Sequence, residues 1–255
     1  MSTLPFRLLT YNIRHGGVGR VAALARIINA CAPDVVLLQE ATRPRLIEQL
    51  AEHTGMVEWR AFHRQSLGYM SRAPVVHASW HRPRLSHHAF VEVVPAGDPL
   101  RLFGVHLSAV HAAWTERRRV YELTALLRSV RQHQAGLHVL AGDFNTLAPG
   151  APFEVRRLPF RLRPFVWMSG GRIKWRTVQT VLDAGYVDAF RLRHPSDPGF
   201  TLPAGDAHVR LDYAFVPEAF SDRILLCDVV RHPDAALASD HYPLVLDLDA
   251  PTRAG

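Results

Sequence analysis

The sequence predicts an α/β protein, one sandwich of mixed β-sheets and helices. Short apolar runs of strand length alternate with stretches whose apolar residues recur at helical spacing. Several runs are continuous, which is typical of strands covered on both faces. Some consecutive strands are joined through a helix and others directly, which favours sheets with both parallel and antiparallel pairs. The 255 residues show no internal repeat and no break in composition, so we expect one domain over residues 1–255.

The first half of the chain contains three predicted strand regions and two helices. Strands are predicted at residues 6–11 and 35–38 and in pieces over 59–94, and helices at 20–31 and 42–53. Pro33 ends the first helix, because proline lacks the amide hydrogen that a helix interior needs. The pieces over 59–94 are interrupted at Gly68, Pro74 and Pro83, which predicts antiparallel strands joined by turns.

The second half continues this alternation and adds one long loop. Strands are predicted at residues 102–106, 137–141, 209–216, 224–230 and 242–248, and the clearest helix at 114–132. In this helix Val120, Leu123 and Leu127 lie on one apolar stripe. Residues 147–176 are punctuated by proline and glycine, which predicts a long functional loop followed by one helix.

The charge balance is basic and is carried almost wholly by arginine. The 30 basic and 23 acidic residues give a formal charge of +7, and Lys174 is the only lysine. This composition excludes an acidic disordered chain and favours an anionic partner. An arginine bias of this kind is equally a mark of genomic composition, so the sign of the charge does not decide the function.

Cysteine content and hydropathy indicate a reduced compartment. Two cysteines, Cys31 and Cys227, are too few for a disulfide framework in a chain of this size. No apolar run approaches the ~18–20 residues of a membrane span. No basic segment followed by a long apolar stretch marks a secretory signal. We expect a cytoplasmic protein without a transmembrane segment, and a monomer by default.

Polar residues stand at or near the ends of the predicted strands. They are Asn12, Glu40, His106, Asp143, Asn145, Asp212, Asp240 and His241. Taken singly, each has a common structural explanation, such as a turn-forming Asp or a hydrogen-bonded structural His. Side chains at the ends of neighbouring strands converge on one edge of a sheet, where sites on this architecture form. The joint arrangement therefore predicts one functional site.

The chemistry of this set favours a hard divalent cation. Its four carboxylates would repel one another without a counter-charge. Oxygen ligands with few imidazoles suit Mg²⁺, or Mn²⁺ as its substitute, better than Zn²⁺. Asn12 and Asn145 can ligate a metal or donate to a phosphoryl oxygen, and His241 can act as a base or as a donor to developing charge.

The motifs around these residues resemble those of a known family. They are Thr10-Tyr11-Asn12-Ile13-Arg14, Leu38-Gln39-Glu40, Gly104-Val105-His106-Leu107, Gly142-Asp143-Phe144-Asn145, Arg210-Leu211-Asp212-Tyr213 and Ser239-Asp240-His241. In this order they are similar to the successive motifs of the endonuclease/exonuclease/phosphatase superfamily. The resemblance implies the DNase I-like fold, a four-layer α/β/β/α sandwich of two mixed β-sheets. It also implies metal-dependent hydrolysis of phosphate esters.

The resemblance implies a metal centre and a place for the attacking water. Glu40 is implied as the principal Mg²⁺ ligand, with Asn12 and Asp240 as further ligands or supports of ligands. Asp143 is implied to orient or deprotonate the water. No Ser or Cys lies in an activated nucleophile motif, which agrees with attack by water.

The resemblance also implies how the phosphate is held. Asn145 and His106 are implied to bind the phosphate, and Asp212 to orient His241 through a hydrogen bond. Abasic-site endonucleases of the family usually carry a Trp just before the Arg-x-Asp-Tyr motif, and this chain has none there. The substrate class of those relatives is therefore not carried over.

A basic and aromatic segment lies within the long loop. Between residues 151 and 176, six arginines and Lys174 occur with one acid, Glu154, and five aromatic residues lie among them. Such a mixture suits a phosphate backbone with stackable bases, or an anionic membrane surface. Solvated arginines on a packed loop are the third explanation. The candidate substrate contacts of the whole chain are Arg172, Lys174, Trp175 and Arg210.

We therefore expect a Mg²⁺-dependent phosphodiesterase, a nuclease acting on nucleic acid. A phosphomonoesterase or a phospholipid-headgroup hydrolase is the first alternative, because the run from Ser239 to Pro243 also occurs in bacterial sphingomyelinase-like members. A non-catalytic binding module on the same fold is the second. Loss of Glu40, Asp143 or His241 would mark such a module, and none of them is lost.

Overall fold

Two six-stranded mixed sheets form the centre of the molecule. The computed structural model describes residues 5–82, 89–97, 100–109, 113–130, 136–157, 160 and 175–249. The first sheet contains β1 (Phe6–Asn12), β2 (Val35–Gln39), β3 (Glu58–Arg60), β4 (Leu67–Ser71), β11 (Ile224–Val229) and β12 (Leu244–Leu248), in the order β11-β12-β1-β2-β4-β3. The second contains β5 (Val75–His81), β6 (Phe90–Pro95), β7 (Arg101–His106), β8 (His138–Asp143), β9 (Tyr186–Asp188) and β10 (Asp212–Pro217), in the order β5-β6-β7-β8-β10-β9.

Helices cover the outer faces of both sheets. They are α1 (Val21–Cys31), α2 (Pro44–Thr54), α3 (Ala113–Val130), α4 (Arg176–Asp183), α5 (Ala189–Arg193) and α6 (Ala235–Ala238), with 3₁₀ turns at His15–Gly17, Val155–Arg157 and Glu218–Arg223. α2 illustrates the local signals: Pro44 supplies the fixed φ of a first helical turn, and Gly55 ends the helix at φ 65°.

Three apolar clusters separate four layers. Leu8 and Leu37 of the first sheet pack with Val93 and Val139 of the second between the two sheets. The alternate residues of β1 and β2 pack against α1 and α2. Those of β7, β8 and β10 pack against α3 and α4. Both faces of the central strands are therefore buried, which explains their continuous apolar sequences. The layers are α/β/β/α, as predicted.

Most predicted elements are present, with three differences. Gly68 does not interrupt a strand but lies inside β4. Two of the last three strands, β10 and β12, begin later than predicted. Val209 forms only an isolated bridge with Leu202, so β10 starts at Asp212. β12 starts after Pro243, whose nitrogen cannot donate to the sheet. Most of the predicted loop segment 158–174 lies outside the described residues.

The strand pairing determines where the polar strand ends meet. β1 and β2 run parallel and end together, with Asn12 opposite Gln39. β7 and β8 run parallel and end with His106 opposite Asp143. β10 runs antiparallel to β8, so that its first residue, Asp212, also lies opposite Asp143. One edge of the sandwich therefore collects these residues. Among the described helices, none has the length and apolar character needed to cross a bilayer.

Candidate active site

Asp143 lies at the centre of the site. Its Oδ1 accepts a hydrogen bond from the backbone N–H of Asn145 at 2.8 Å. Its Oδ2 accepts one from Asn12 Nδ2 at 3.0 Å, which links the two sheets. The imidazole nitrogens of His106 and His241 lie 3.7 Å and 3.9 Å from the same Oδ2. Two hydrogen bonds thus fix this carboxylate, and two imidazoles lie close to it.

Burial and a second carboxylate make Asp143 a weaker acid. Desolvation raises the pKa of Asp143, and the nearby Asp212 carboxylate adds to this, while the imidazole of His241 opposes it. A carboxylate with a raised pKa is a stronger base than an ordinary aspartate. The environment of Asp143 therefore suits a group that accepts a proton from water.

Asp212 fixes the imidazole of His241. Asp212 Oδ2 lies 2.8 Å from His241 Nδ1, and both side chains are buried. Burial lowers the pKa of His241, but the Asp212 carboxylate outweighs it and raises that pKa to about 10. At neutral pH the ring is therefore a cation whose Nδ1–H is donated to Asp212. Its Nε2–H lies beyond hydrogen-bonding distance of Asp143 and can be donated to a reacting oxygen.

A glycine is required where β8 approaches β7. Gly142 has φ 147°, and a Cβ placed on it would lie 1.9 Å from the carbonyl oxygen of Val105. Any side chain would push the two strands apart immediately before Asp143. The Gly142-Asp143 sequence is therefore a consequence of how the site is built.

Backbone strain is concentrated at this edge. Six non-glycine residues in the described part of the chain have positive φ. Four of them lie at the site: Arg14 at 48°, His15 at 50°, Glu40 at 57° and Asn145 at 51°. Positive φ costs an L-residue free energy, and such residues persist where the surroundings fix them, often at functional sites. The strain supports a shared site for these residues.

The side chains of Glu40 and Asp240 are more exposed to solvent than that of Asp143. The backbone N–H of His15 donates to Glu40 Oε2 at 2.6 Å. Arg14 Nε lies 3.4 Å from Asp240 Oδ2. The Glu40 and Asp240 side chains are 29% and 36% exposed, whereas that of Asp143 is 2% exposed. These two carboxylates are therefore accessible from solvent.

Two serines connect the site residues. Ser239 Oγ donates to the carbonyl oxygen of Asn12 at 2.6 Å and accepts from the His241 backbone N–H at 3.2 Å. Ser66 Oγ bonds to His106 Nδ1, and the Glu40 backbone N–H donates to it at 3.4 Å. Ser239 belongs to a motif read from the sequence. Ser66 does not, since a lone serine before a strand carries no signal.

The donor set fits a divalent cation. Among the described residues, Asp143, Asp212 and His241 are the one group of three or more His, Cys, Asp or Glu side chains whose ligand atoms all lie within 4.8 Å of one another. Its carboxylates could hold a metal ion. The predicted ligands Glu40 and Asp240 are not members of this group, and Asn12 offers an amide oxygen. They add oxygen donors at the same edge, and oxygen donors suit hard cations.

A family model matches almost the whole chain. It describes the endonuclease/exonuclease/phosphatase family and matches residues 9–241, which include every motif named above. The chain belongs to this family. It is accordingly a phosphoric ester hydrolase of a metal-dependent family.

Solved structures of several nucleases and phosphatases share the fold of this family member. An AP endonuclease from Archaeoglobus fulgidus is 18% identical, with a TM-score of 0.72, and the match covers 96% of this chain and 99% of that one. A 3'-5' exonuclease from Neisseria meningitidis is 19% identical, with a TM-score of 0.73 and coverage of 96% and 100%. A 3' phosphatase from Neisseria, bound to a product DNA hairpin, is 20% identical, with a TM-score of 0.70 and coverage of 96% and 99%. A comparison with the curated proteins finds no match.

Of the predicted substrate contacts, the structure describes Arg210 and Trp175. Arg210 is 2% exposed and binds Asp188 through two hydrogen bonds, Nη1–Oδ1 at 3.2 Å and Nη2–Oδ2 at 2.6 Å. The pair borders a cavity of about 810 Å³. Trp175 is exposed at the start of α4, and Arg172 and Lys174 lie outside the described residues. Their roles in substrate binding stay predictions.

Sequence reasoning missed a buried ionic network beside the site. Glu116 of α3 accepts from the backbone N–H and hydroxyl of Thr177 at 2.8 and 3.0 Å, and from Thr146 Oγ1 at 3.3 Å. Arg119 donates to Glu116 and, at 2.8 Å, to the carbonyl oxygen of Ser108. The network ties the segments that follow His106 and Asn145 to the start of α4. No sequence signal distinguishes these two charges from others on the helix.

Proposed function

We propose that this family member is a Mg²⁺-dependent phosphodiesterase that hydrolyses nucleic acid by attack of water on phosphorus. The observation that carries the proposal is the buried Asp212–His241–Asp143 arrangement, with a cationic imidazole and a raised-pKa carboxylate 3.9 Å apart. A group that can accept a proton from water and a group that can donate one to a phosphate oxygen are thereby placed next to each other.

Asp143 has the position of the group that activates the water. Asn12 and the Asn145 backbone N–H hold its two oxygens in fixed directions. A fixed, poorly solvated carboxylate orients a water molecule and accepts its proton as the bond to phosphorus forms. His106 Nε2 lies 3.7 Å from Asp143 Oδ2, and Asn145 Nδ2 donates to the carbonyl oxygen of Leu107 at 3.0 Å. In this scheme both side chains supply contacts to the non-bridging oxygens.

His241 has the position of the proton donor. Its Nδ1–H is held by Asp212, so that Nε2–H points to the substrate. The cation offsets charge that develops on the phosphate oxygens, and its proton can pass to the leaving oxygen. Because the ring is charged at neutral pH, we assign it as a donor and not as the base.

Glu40 and Asp240 are the residues that we assign to the metal, with Asn12 as a further oxygen donor. Their carboxylates are partly exposed, whereas Asp212 is already bound to His241. A bound Mg²⁺ supplies Lewis-acid stabilisation of the phosphate charge. Calorimetric titration of the protein with Mn²⁺ tests the assignment without an activity assay. Glu40→Gln is expected to weaken binding at least tenfold, and unchanged binding would contradict the assignment.

Turnover of bis-p-nitrophenyl phosphate tests the chemistry. The wild-type protein is expected to hydrolyse it with Mg²⁺ or Mn²⁺ and not with excess chelator. A matched control is available, because His194 Nε2 lies 2.5 Å from Asp228 Oδ1 in a second His–Asp pair that is more exposed and outside the site. His194→Ala should keep the activity that His241→Ala loses. Equal activity of the two variants would sink the mechanism.

A substrate panel tests the assignment to nucleic acid. Plasmid DNA, single-stranded oligonucleotides, oligonucleotides with 3' phosphates and phospholipid vesicles would be compared at low salt. The basic composition and the structural relatives that are nucleases support the first two substrates. The neighbour that is a 3' phosphatase supports the phosphomonoester as the second candidate. If only the phospholipid headgroups were hydrolysed, both the nuclease and the phosphomonoesterase assignments would be wrong.

A further inference from the structure

In helix α3 the acidic residues are buried and the exposed charged residues are basic. Both acids of the helix, Glu116 and Glu122, are buried, at 2% and 0% exposure. Glu116 bonds to Arg119 and Thr177, and Glu122 accepts from Arg118 at 3.3 Å. The acids are thus neutralised inside the protein. The charges that the described part of the helix presents to solvent are arginines.

Aromatic rings share this face. Trp114, Arg117 and Tyr121 follow one another at intervals of three and four residues, so they lie on one side of the helix. All three are exposed, with Trp114 at 61% and Tyr121 at 46%. We call these three residues the aromatic–arginine face. Large exposed rings on a surface helix cost solvation free energy, which is recovered when a partner covers them.

The aromatic–arginine face begins at the catalytic edge. α3 follows β7, whose last residue is His106, and Arg119 binds the carbonyl oxygen of Ser108, two residues after it. The first turn of α3 therefore lies at the edge where Asp143 is placed. Thr177 joins the start of α4 to Glu116, which brings a further exposed ring, Trp175, to the same end of the molecule.

We propose that the aromatic–arginine face binds a single-stranded segment of the nucleic-acid substrate next to the catalytic edge. Arginine neutralises phosphates, and exposed rings stack on bases that are not paired. A duplex hides the faces of its bases, so the rings favour unpaired strands or ends. The proposal rests on the function proposed above, and it adds a preference for single strands to it.

Binding in chelator separates this proposal from the catalytic one. A labelled oligonucleotide of about 20 residues, and its duplex, would be titrated with wild-type protein and followed by fluorescence anisotropy. We expect the single strand to bind more tightly than the duplex. Trp114→Ala should weaken single-strand binding about tenfold, and Trp114→Phe should keep most of it, because the ring is retained. Thermal unfolding of each variant checks that the fold is intact.

Salt dependence tests the arginine. Arg117→Ala should make the plot of log K against log salt shallower by about 0.7, the contribution of one phosphate contact on a single strand. Arg128→Ala removes the same charge from the exposed far end of the same helix and should leave the slope unchanged. Equal effects of the two substitutions would indicate a non-specific charge effect and overturn the proposal.

Three other results would overturn it. In the first, Trp114→Ala binds the single strand as tightly as the wild-type protein does. In the second, the wild-type protein binds duplex and single strand equally. In the third, it binds phosphatidylserine vesicles but not the oligonucleotide. Oligonucleotide binding that depends on Trp114, without cleavage when Mg²⁺ is added, would support the face and reject the nuclease function. Cleavage of the oligonucleotide, with binding that does not depend on Trp114, would support the nuclease function and reject the role of the face.

Discussion

Arg210 and Asp212 stand two residues apart, but they belong to buried ionic groups of opposite character. Arg210 meets one carboxylate, Asp188, in a bidentate pair, and its guanidinium carbon lies 4.6 Å from the ring centre of Tyr213. Each charge has its counter-charge, and the hydrogen bonds are satisfied. Asp212 instead shares one imidazole, His241, with a second carboxylate, Asp143. That group has an excess of negative charge in a buried place.

The difference supports our assignment of the first group to the fold and of the second to chemistry. The Arg210–Asp188 pair gains from burial only if both partners are kept, as in other buried ion pairs. The raised pKa of Asp143 means that its charge costs stability in the folded state. A protein retains such a group where it is useful. A bound metal ion would supply the missing positive charge. A substrate water molecule would give its proton to Asp143, whose raised pKa makes it a stronger base.

The largest expected effect is on activity. Asp143→Asn or His241→Ala should lower turnover of a phosphodiester by about 10²–10⁴-fold, because each removes one proton-transfer or charge-stabilising group. The free energy of unfolding of Asp143→Asn, measured with urea, should stay the same or rise, because the substitution removes a buried charge. Lower stability together with full activity would reverse our comparison of the two groups.

The next effect is on stability. Arg210→Leu leaves Asp188 buried without its partner and should lower the free energy of unfolding by about 3–5 kcal/mol. Adding Asp188→Asn removes the stranded charge and keeps a side chain that can cap α5, where Asp188 accepts from the Arg191 N–H. The double variant should recover most of the loss in urea unfolding. A single variant as stable as the wild-type protein would show that the pair contributes nothing.

A loss of similar size is expected at the network beside the site. Glu116→Ala removes the acceptor of Thr177 and the carboxylate of the buried ion pair with Arg119, and should cost about 3–5 kcal/mol. Glu116→Gln keeps one acceptor oxygen and should cost less. Urea unfolding of both variants measures the difference. Equal losses would mean that the carboxylate acts through packing and not through its hydrogen bonds.

The last effect is on the pH dependence of stability. The pKa of His241 rises from 6.5 to about 10 on folding, so protonation of this ring stabilises the folded state fully below pH 6.5. That stabilisation is lost as the pH rises through about 10. Between these pH values the metal-free wild-type protein should lose about 1 kcal/mol or more beyond the loss in His241→Gln. Parallel pH profiles of the two proteins would contradict the assignment of a cationic ring.

Much of the candidate site could be predicted from the sequence, for a physical reason. Strand ends at one edge of a sheet are near one another whatever the details, so Asp143, His106 and Asp212 could be grouped from their positions in apolar runs. The sequence did not show that Arg210 points away from them to Asp188. Residues two apart in a regular strand point to the same face, but Arg210 precedes β10, which starts at Asp212, so the alternation of the strand does not determine its direction.

The charge of the loop and helices could not be interpreted in the same way. Composition gives the net charge, but it does not distinguish Glu116 and Glu122 from acids that are exposed to solvent. Only the folded arrangement buries them and leaves arginine and tryptophan outside on α3. Burial depends on which face of the helix packs on the second sheet.

The sequence by itself determined the layer architecture, the family and the residues from which the site is made, because periodicity and motif order are properties of the chain. The tertiary structure decided the pairing: Asn12 with Asp143, His241 with Asp212, and Arg210 with Asp188. These contacts join residues 22 to 131 positions apart. Only this arrangement raises the pKa of Asp143, through burial, and those of His241 and Arg210, through the carboxylates beside them.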